Sequence, residues 1–102
     1  MAQFDVLRNP RGGTYPLVVD LQSEPLARLA TRIVAPLIAV KRYAPKPITR
    51  LNPIVRIKGA DYVVIVQDLA SVLTSELGEI VGSLGAQRSE LVAALDLMFT
   101  GV

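Results

Sequence analysis

Thiol and imidazole chemistry are closed to this 102-residue chain, which contains no Cys and no His. Thiolate nucleophiles, Cys/His metal sites, histidine-based dyads and triads and the commonest general base near neutral pH all fall away. Carboxylate and guanidinium remain. A site that cuts RNA needs a general acid and base with a cation beside the phosphate, and Arg32 with Asp20 or Asp68 supplies those types. The same acids read equally well as exposed strand or turn residues, so the set does not define a catalytic centre by itself. A second chemistry, recognition of a cation, is written at the other end of the chain. Asp96 and the carboxylate after Val102 stand on the end of a helical segment. There the helix dipole disfavours a negative charge by roughly 0.3 to 1 kcal/mol, and Lys or Arg would serve a structural helix end better. A partner arginine would satisfy such carboxylates through charge-assisted bonds, about twice as strong as neutral ones. The plain alternative is a packed helix whose frayed end happens to be acidic.

The segment that carries Asp96 runs from Leu84 to Val102, LGAQRSELVAALDLMFTGV. Leu84, Leu91, Leu95, Met98 and Val102 recur at three- to four-residue steps, and Val92 and Phe99 widen the stripe, which predicts an amphipathic helix. Ser83 or Gly85 is the expected N-cap, and Gly101 the residue just past the end. Everything before this segment reads as strand and turn. Gln3 to Leu7 alternates, with Phe4 and Val6 on one side and Asp5 on the other, and ends at the loop Asn9-Pro10-Arg11-Gly12-Gly13. Tyr15 to Leu21 resumes, predicting a hairpin. Gln22 to Pro25 breaks that strand, Leu26 to Leu29 forms a short helical turn or loop, and Thr31 opens a third strand, TRIVAPLIAV. Pro36 cannot donate to a ladder, so the strand is expected to kink, bulge or lie at an edge there. Tyr43 to Pro53 holds Pro45, Pro47 and Pro53 and reads as an irregular excursion with room for a short strand pair.

Ile54 to Ile57 and Tyr62 to Val66 flank Lys58-Gly59-Ala60-Asp61, the strongest hairpin signal in the chain. YVVIV is apolar on both faces, as a strand covered on both sides requires. Gln67 to Ser71 turns or bends, Val72 to Thr74 pairs again, and Leu77 to Val81 leads through Gly82 into the helix. Strands therefore follow strands until one terminal helix, which predicts a mainly β (α+β) domain: an antiparallel sheet or small barrel closed by that helix.

The length predicts a single domain over 1–102, able to bury about 60% or more of its unfolded surface without staples. Nothing in the composition calls for a metal or cofactor. MAQFDVLRN lacks a basic region followed by an apolar run, and no stretch reaches the roughly 18 apolar residues of a membrane span, so a cytoplasmic protein is expected. The net charge of +2 does not point to nucleic acid, while the 51% apolar content predicts that another subunit covers some of the surface. Basic residues gather in the middle of the chain, and Asp61, Asp68, Glu76, Glu79 and Glu90 follow them, an asymmetry that a solvated face explains.

LMFTGV at the terminus, ALDLMF before it and Ala70-Ser71-Val72 resemble the CcdB family of toxins, which poison DNA gyrase and are neutralised by a CcdA antitoxin. Gln3-Phe4 with Val6 is similar to that family's first strand, Val19 to Ser23 to its VDVQS signature, Thr31 to Leu37 to its RMVIPL strand and Pro53 to Ile57 to its PVVHI strand. The order and spacing of these blocks carry the resemblance, which is weakest over Arg8 to Thr14 and Lys41 to Leu51. Thr100 stands where the best-known ending, Trp-Gly-Ile, has its aromatic, and Leu73 where a Pro is common.

The resemblance implies an SH3-like barrel extended by a small second sheet, capped by the C-terminal helix, and a homodimer. It assigns contact with the gyrase A subunit to Thr100, Gly101 and Val102, with Asp96 one turn earlier, and to Glu24, Pro25 and Leu26 in the loop after the second strand. It also implies a CcdA-like antitoxin as second partner, no catalytic residues, no cofactor or metal, and no direct contact with nucleic acid or membrane. Plasmid maintenance is the usual setting of such a toxin. Two rivals share the fold: a ribonuclease toxin of the MazF and Kid type, which would draw on Arg32 with Asp20 or Asp68, and a non-toxic CcdB-like dimeric binding protein.

Overall fold

The structure, a computed structural model, describes residues 1–11 and 13–102. Among them the strands are β1 (Asp5–Arg8), β2 (Leu17–Asp20), β3 (Thr31–Ala39), β4 (Ile54–Ile57), β5 (Ala60–Val64), β6 (Ala70–Leu73) and β7 (Ile80–Ser83), followed by one helix, α1 (Arg88–Thr100). All pairings are antiparallel, and the order across the sheet is β4-β5-β3-β2-β1-β7, with β6 also laid on β3. The sheet curls into a half-barrel, and α1 closes it. The small extra sheet takes the form of β6 on the N-terminal half of β3, while β5 takes the C-terminal half.

That division of β3 resolves the position of Pro36. Its carbonyl accepts the Ile65 N–H at 3.0 Å, so its missing donor faces the same edge, in the gap between the partners of Thr31–Val34 and Leu37–Ala39. The proline therefore sits buried inside a central strand rather than at an edge, without losing a ladder bond.

Side-chain alternation then sorts the sheet into two faces. Phe4, Val6, Leu17, Val19, Leu21, Ala35, Leu37, Val64 and Val66 form the inner core with Leu84, Leu91 and Ala94 from the helical end. On the outer face Leu7, Val18 and Val34 are covered by Val72 and Leu77, and Ile38, Val63 and Ile65 by Tyr15 and Tyr43. Covering on both sides is why β2 and YVVIV carry near-continuous apolar runs.

The Asn9–Gly13 connection joins β1 to β2 in the expected hairpin, with Val6 opposite Val19; Gly12 lies outside the described residues. The second hairpin is tighter than its sequence reads, because Ile57 pairs directly with Ala60 across Lys58-Gly59. Both turn residues have positive φ, 49° and 82°, as a type I′ turn requires. Between Tyr43 and Pro53 there is no strand; a turn at Ile48–Asn52 is closed by Ile48 N–H donating to Asn52 Oδ1 at 2.9 Å.

The terminal helix is shorter than its apolar stripe. A 3-10 turn at Gly85–Gln87 precedes it, its N-cap is Gln87 without a side-chain bond, and Ser83 accepts the Gly85 N–H instead. Gly101 ends it in the left-handed region at φ 77°, with its N–H shared between the Asp96 and Leu97 carbonyls. Leu91 and Ala94 are buried and Val92 and Leu95 pack against the core, but Met98, Phe99 and Val102 at the far end of the stripe are exposed.

Candidate functional site

The exposed half of α1 does not stand alone. After β2 the chain passes Leu21 and Gln22, both buried, and makes a 3-10 turn over Glu24–Leu26, where Pro25 fixes φ within the first turn and Leu26 N–H and Ala27 N–H return to the Ser23 and Glu24 carbonyls. This turn faces the helix end. Leu26 on one side, Leu95 and Phe99 on the other, and Leu21, Ile33 and Leu69 between them line an open apolar groove of about 360 Å³, with Gln22 and Ser23 at its side. Phe99 is 68% exposed, Leu26 50% and Val102 75%. Large apolar side chains left this open beside a concave apolar wall are what a recognition surface looks like, since isolated exposed leucines carry no such message.

Charge surrounds the groove unevenly. The last turn of α1 has no basic residue, and Asp96 forms no ion pair among the described residues. Thr100 turns its hydroxyl back to donate to the Asp96 carbonyl at 2.7 Å, which together with the Gly101 cap satisfies the end of the helix. Neither interaction neutralises the Asp96 carboxylate. Glu24 is engaged differently, its Oε1 accepting the Gln3 N–H at 2.9 Å.

Of the residues singled out from sequence, Leu26 lines the groove itself, Glu24 and Pro25 build the turn that carries it, and Asp96, Thr100, Gly101 and Val102 continue from the helix that forms the opposite wall. Phe99 and Leu95 were legible only as part of a stripe that reads as core. Leu69 and Ile33 carry no sequence signal for this surface; they arrive through the β3–β6 fold.

The carboxylate–guanidinium set of the ribonuclease reading has another arrangement. Asp20 and Arg32 pair with each other at 2.9 Å, at 0% and 5% exposure, while Asp68 is exposed on a separate 3-10 turn at Val66–Asp68. Burial pushes the Asp20 carboxyl above its usual range; the Gln22 N–H and the Arg32 guanidinium pull it down, and the Asp5 and Glu24 charges push it up further. Arg32 spends a second nitrogen on the Ala27 carbonyl at 3.2 Å. A guanidinium held in this way is turned into the fold and offers little to a phosphate outside it.

Comparison with known protein families decides the lineage. One family, described as CcdB protein, matches residues 3–101, nearly the whole chain. The chain belongs to the CcdB family. As a CcdB toxin it is the toxin component of a toxin–antitoxin system, from a family that acts by binding rather than by catalysis. The match runs through Phe99, Thr100 and Gly101, so both walls of the groove lie inside the CcdB region. No helix among the described residues is long and apolar enough to cross a membrane.

Proposed function

We propose that this CcdB protein binds the A subunit of DNA gyrase and holds the enzyme on cleaved DNA, with Thr100, Gly101, Val102 and Asp96 on one side of the contact and Glu24, Pro25 and Leu26 on the other. One observation carries the reading. Two segments some seventy residues apart in the chain, the turn after β2 at Leu26 and the end of α1 at Leu95 and Phe99, line one exposed apolar groove, and the other residues that the family resemblance assigns to gyrase stand beside it in sequence. The groove supplies an anchor pocket for a large apolar side chain, and the uncompensated Asp96 at the negative end of the helix dipole favours a cationic neighbour on the partner.

The chain acts as a homodimer, so that paired helix ends match the two-fold of the gyrase A dimer through isologous contacts. A CcdA-like antitoxin, disordered until it folds onto the dimer, relieves the inhibition by mass action. The work is done in the cytoplasm, by binding, with no nucleic acid cut by the toxin itself. The burial of Arg32 against Asp20 supports that last point over the ribonuclease alternative.

Gyrase, supercoiled plasmid and ATP incubated with the purified protein should yield linear DNA after denaturation, the mark of a trapped cleavage complex. Phe99→Ala, at an exposed position, should keep the fold and lose at least about 2 kcal/mol of the binding that supports this trapping. Undisturbed supercoiling at micromolar toxin, or sequence-specific RNA cleavage abolished by changing Arg32, would replace the gyrase reading.

A further inference from the structure

The turn that forms one wall of the groove is tied to the sheet by buried polar side chains rather than by its own packing. Glu24, Pro25 and Leu26 are all exposed, so burial does little to fix them. Two carbonyls of the turn are instead gripped from the strands. Gln22 Nε2 donates to the Leu26 carbonyl at 2.6 Å, and Arg32 Nη2 donates to the Ala27 carbonyl at 3.2 Å. Each gripping side chain is itself held. Gln22 Oε1 accepts the Ile33 N–H of β3 at 3.2 Å, and Asp20 accepts the Gln22 N–H at 3.0 Å on one oxygen and Arg32 Nη1 at 2.9 Å on the other. The chain of bonds runs from the end of β2 and the start of β3 to the backbone beneath Leu26.

This arrangement is a costly way to make a core. Arg32 Nε is buried with no hydrogen-bond partner among the described residues, and a desolvated ion pair contributes little to stability compared with apolar side chains of the same volume. What the network supplies is position. An exposed turn of three residues would otherwise sample several conformations, and a partner would have to select the one in which Leu26 faces Leu95 and Phe99.

We propose that Gln22 and Arg32 are positioning residues for the partner-binding surface: by holding the Leu26 and Ala27 carbonyls they preform the groove before any partner arrives. This rests on the reading of the groove as the gyrase contact for its consequence in binding, but not for its structural content.

Two readouts separate these. The first needs no partner. In Gln22→Met, which keeps volume and loses the amide, the Leu26, Ala27 and Leu29 amides, all donors within the turn, should exchange with deuterium at least tenfold faster, as should the Ile33 amide that loses its acceptor, while the other amides of β3 and those of β5 keep their wild-type rates. Arg32→Lys, which keeps the charge beside Asp20 but lacks the planar fork that spans Asp20 and Ala27, provides the same test through the other grip and guards against a failure of Gln22→Met to fold. Unchanged turn exchange in both variants, or an equal acceleration throughout the sheet, overturns the proposal, because the network would then be ordinary core.

The second readout is a double-mutant cycle with a gyrase A fragment. Arg32→Lys and Leu26→Ala should each weaken binding, by about tenfold, and the double variant should be no weaker than Leu26→Ala alone, since Arg32, which does not line the groove, acts through the turn that carries Leu26. Additive losses overturn the coupling of network to groove. If the wild-type protein fails to bind gyrase while turn exchange still accelerates, the functional reading falls and the positioning role stands.

Discussion

Asp20 illustrates how far a residue's role departs from its type. From the sequence it is a candidate acid beside a candidate cation; in the fold it is the buried anchor of Gln22 and Arg32. Its titration should report that burial. The unfolded chain releases this proton around the ordinary 3.8, whereas burial raises the folded value in spite of the Gln22 N–H and Arg32. Between the two values the folded state binds more protons than the unfolded one, so this group favours folding as pH falls through the folded pKa and that contribution is lost as pH rises. The urea stability of the wild type relative to Asp20→Asn should therefore increase on acidification from about pH 7 towards about pH 4. A relative stability that falls on acidification would mean that the attraction of Arg32 outweighs burial. Phe4 makes a related point: it adopts φ 70° at the start of β1, held by its N–H on the Asp20 carbonyl and by the Leu84 N–H on its own carbonyl. A left-handed aromatic costs on the order of 1 to 3 kcal/mol, and no feature of its neighbours in sequence announces it.

Among the elements, the β4–β5 hairpin is specified most locally. Lys58 occupies a positive-φ position that Asn or Gly takes more readily, and Gly59 supplies the other at no steric cost. Added methyl at Gly59 would meet no neighbour within 4 Å, so Gly59→Ala measures backbone strain alone and should cost about 1 kcal/mol in chemical denaturation. Lys58→Asn should raise the melting temperature, by about 2 °C. Elements of this kind are legible in sequence because alternation and turn chemistry act over a few residues: the two hairpin pairings, the run of strands before a single terminal helix and the Gly101 end of that helix appear as read. β7 is not legible as a strand, since Ile80–Ser83 contains Gly82 and pairs β1 through a register shift that only the closed sheet makes favourable. Pro36 reads as a kink, bulge or edge position for want of any local sign that β3 changes partner beside it. The stripe of α1 reads as one buried face, yet its last turn projects past the sheet, because stripe length records apolar character and not where the sheet ends. The site was legible at its two chain segments and illegible at its floor: Leu69 and Ile33 join it only through tertiary pairing, and the Gln22–Arg32 grip only through side-chain geometry.

For the whole molecule the proposed function makes the same projection bear on both assembly and target. Leu91 is covered within the chain, but Leu29, Ile54, Leu73, Ile80 and Met98 remain exposed, a large apolar load for 102 residues. Light scattering at micromolar concentration should give twice the 11.0 kDa chain mass, and a clean single-chain mass would remove the two-fold matching from the account. In the proposed function the end of α1, beyond the part that holds the fold, is what the target recognises. Calorimetric titration of a gyrase A fragment with the intact protein and with a variant lacking Thr100–Val102 tests it most directly, with thermal melting of both in parallel. These residues are exposed and outside the core, so the truncated protein should melt within about 5 °C of the intact one and give no heat of binding, while the intact protein binds. A truncated protein that stays folded and binds gyrase as tightly as the intact chain would contradict the account.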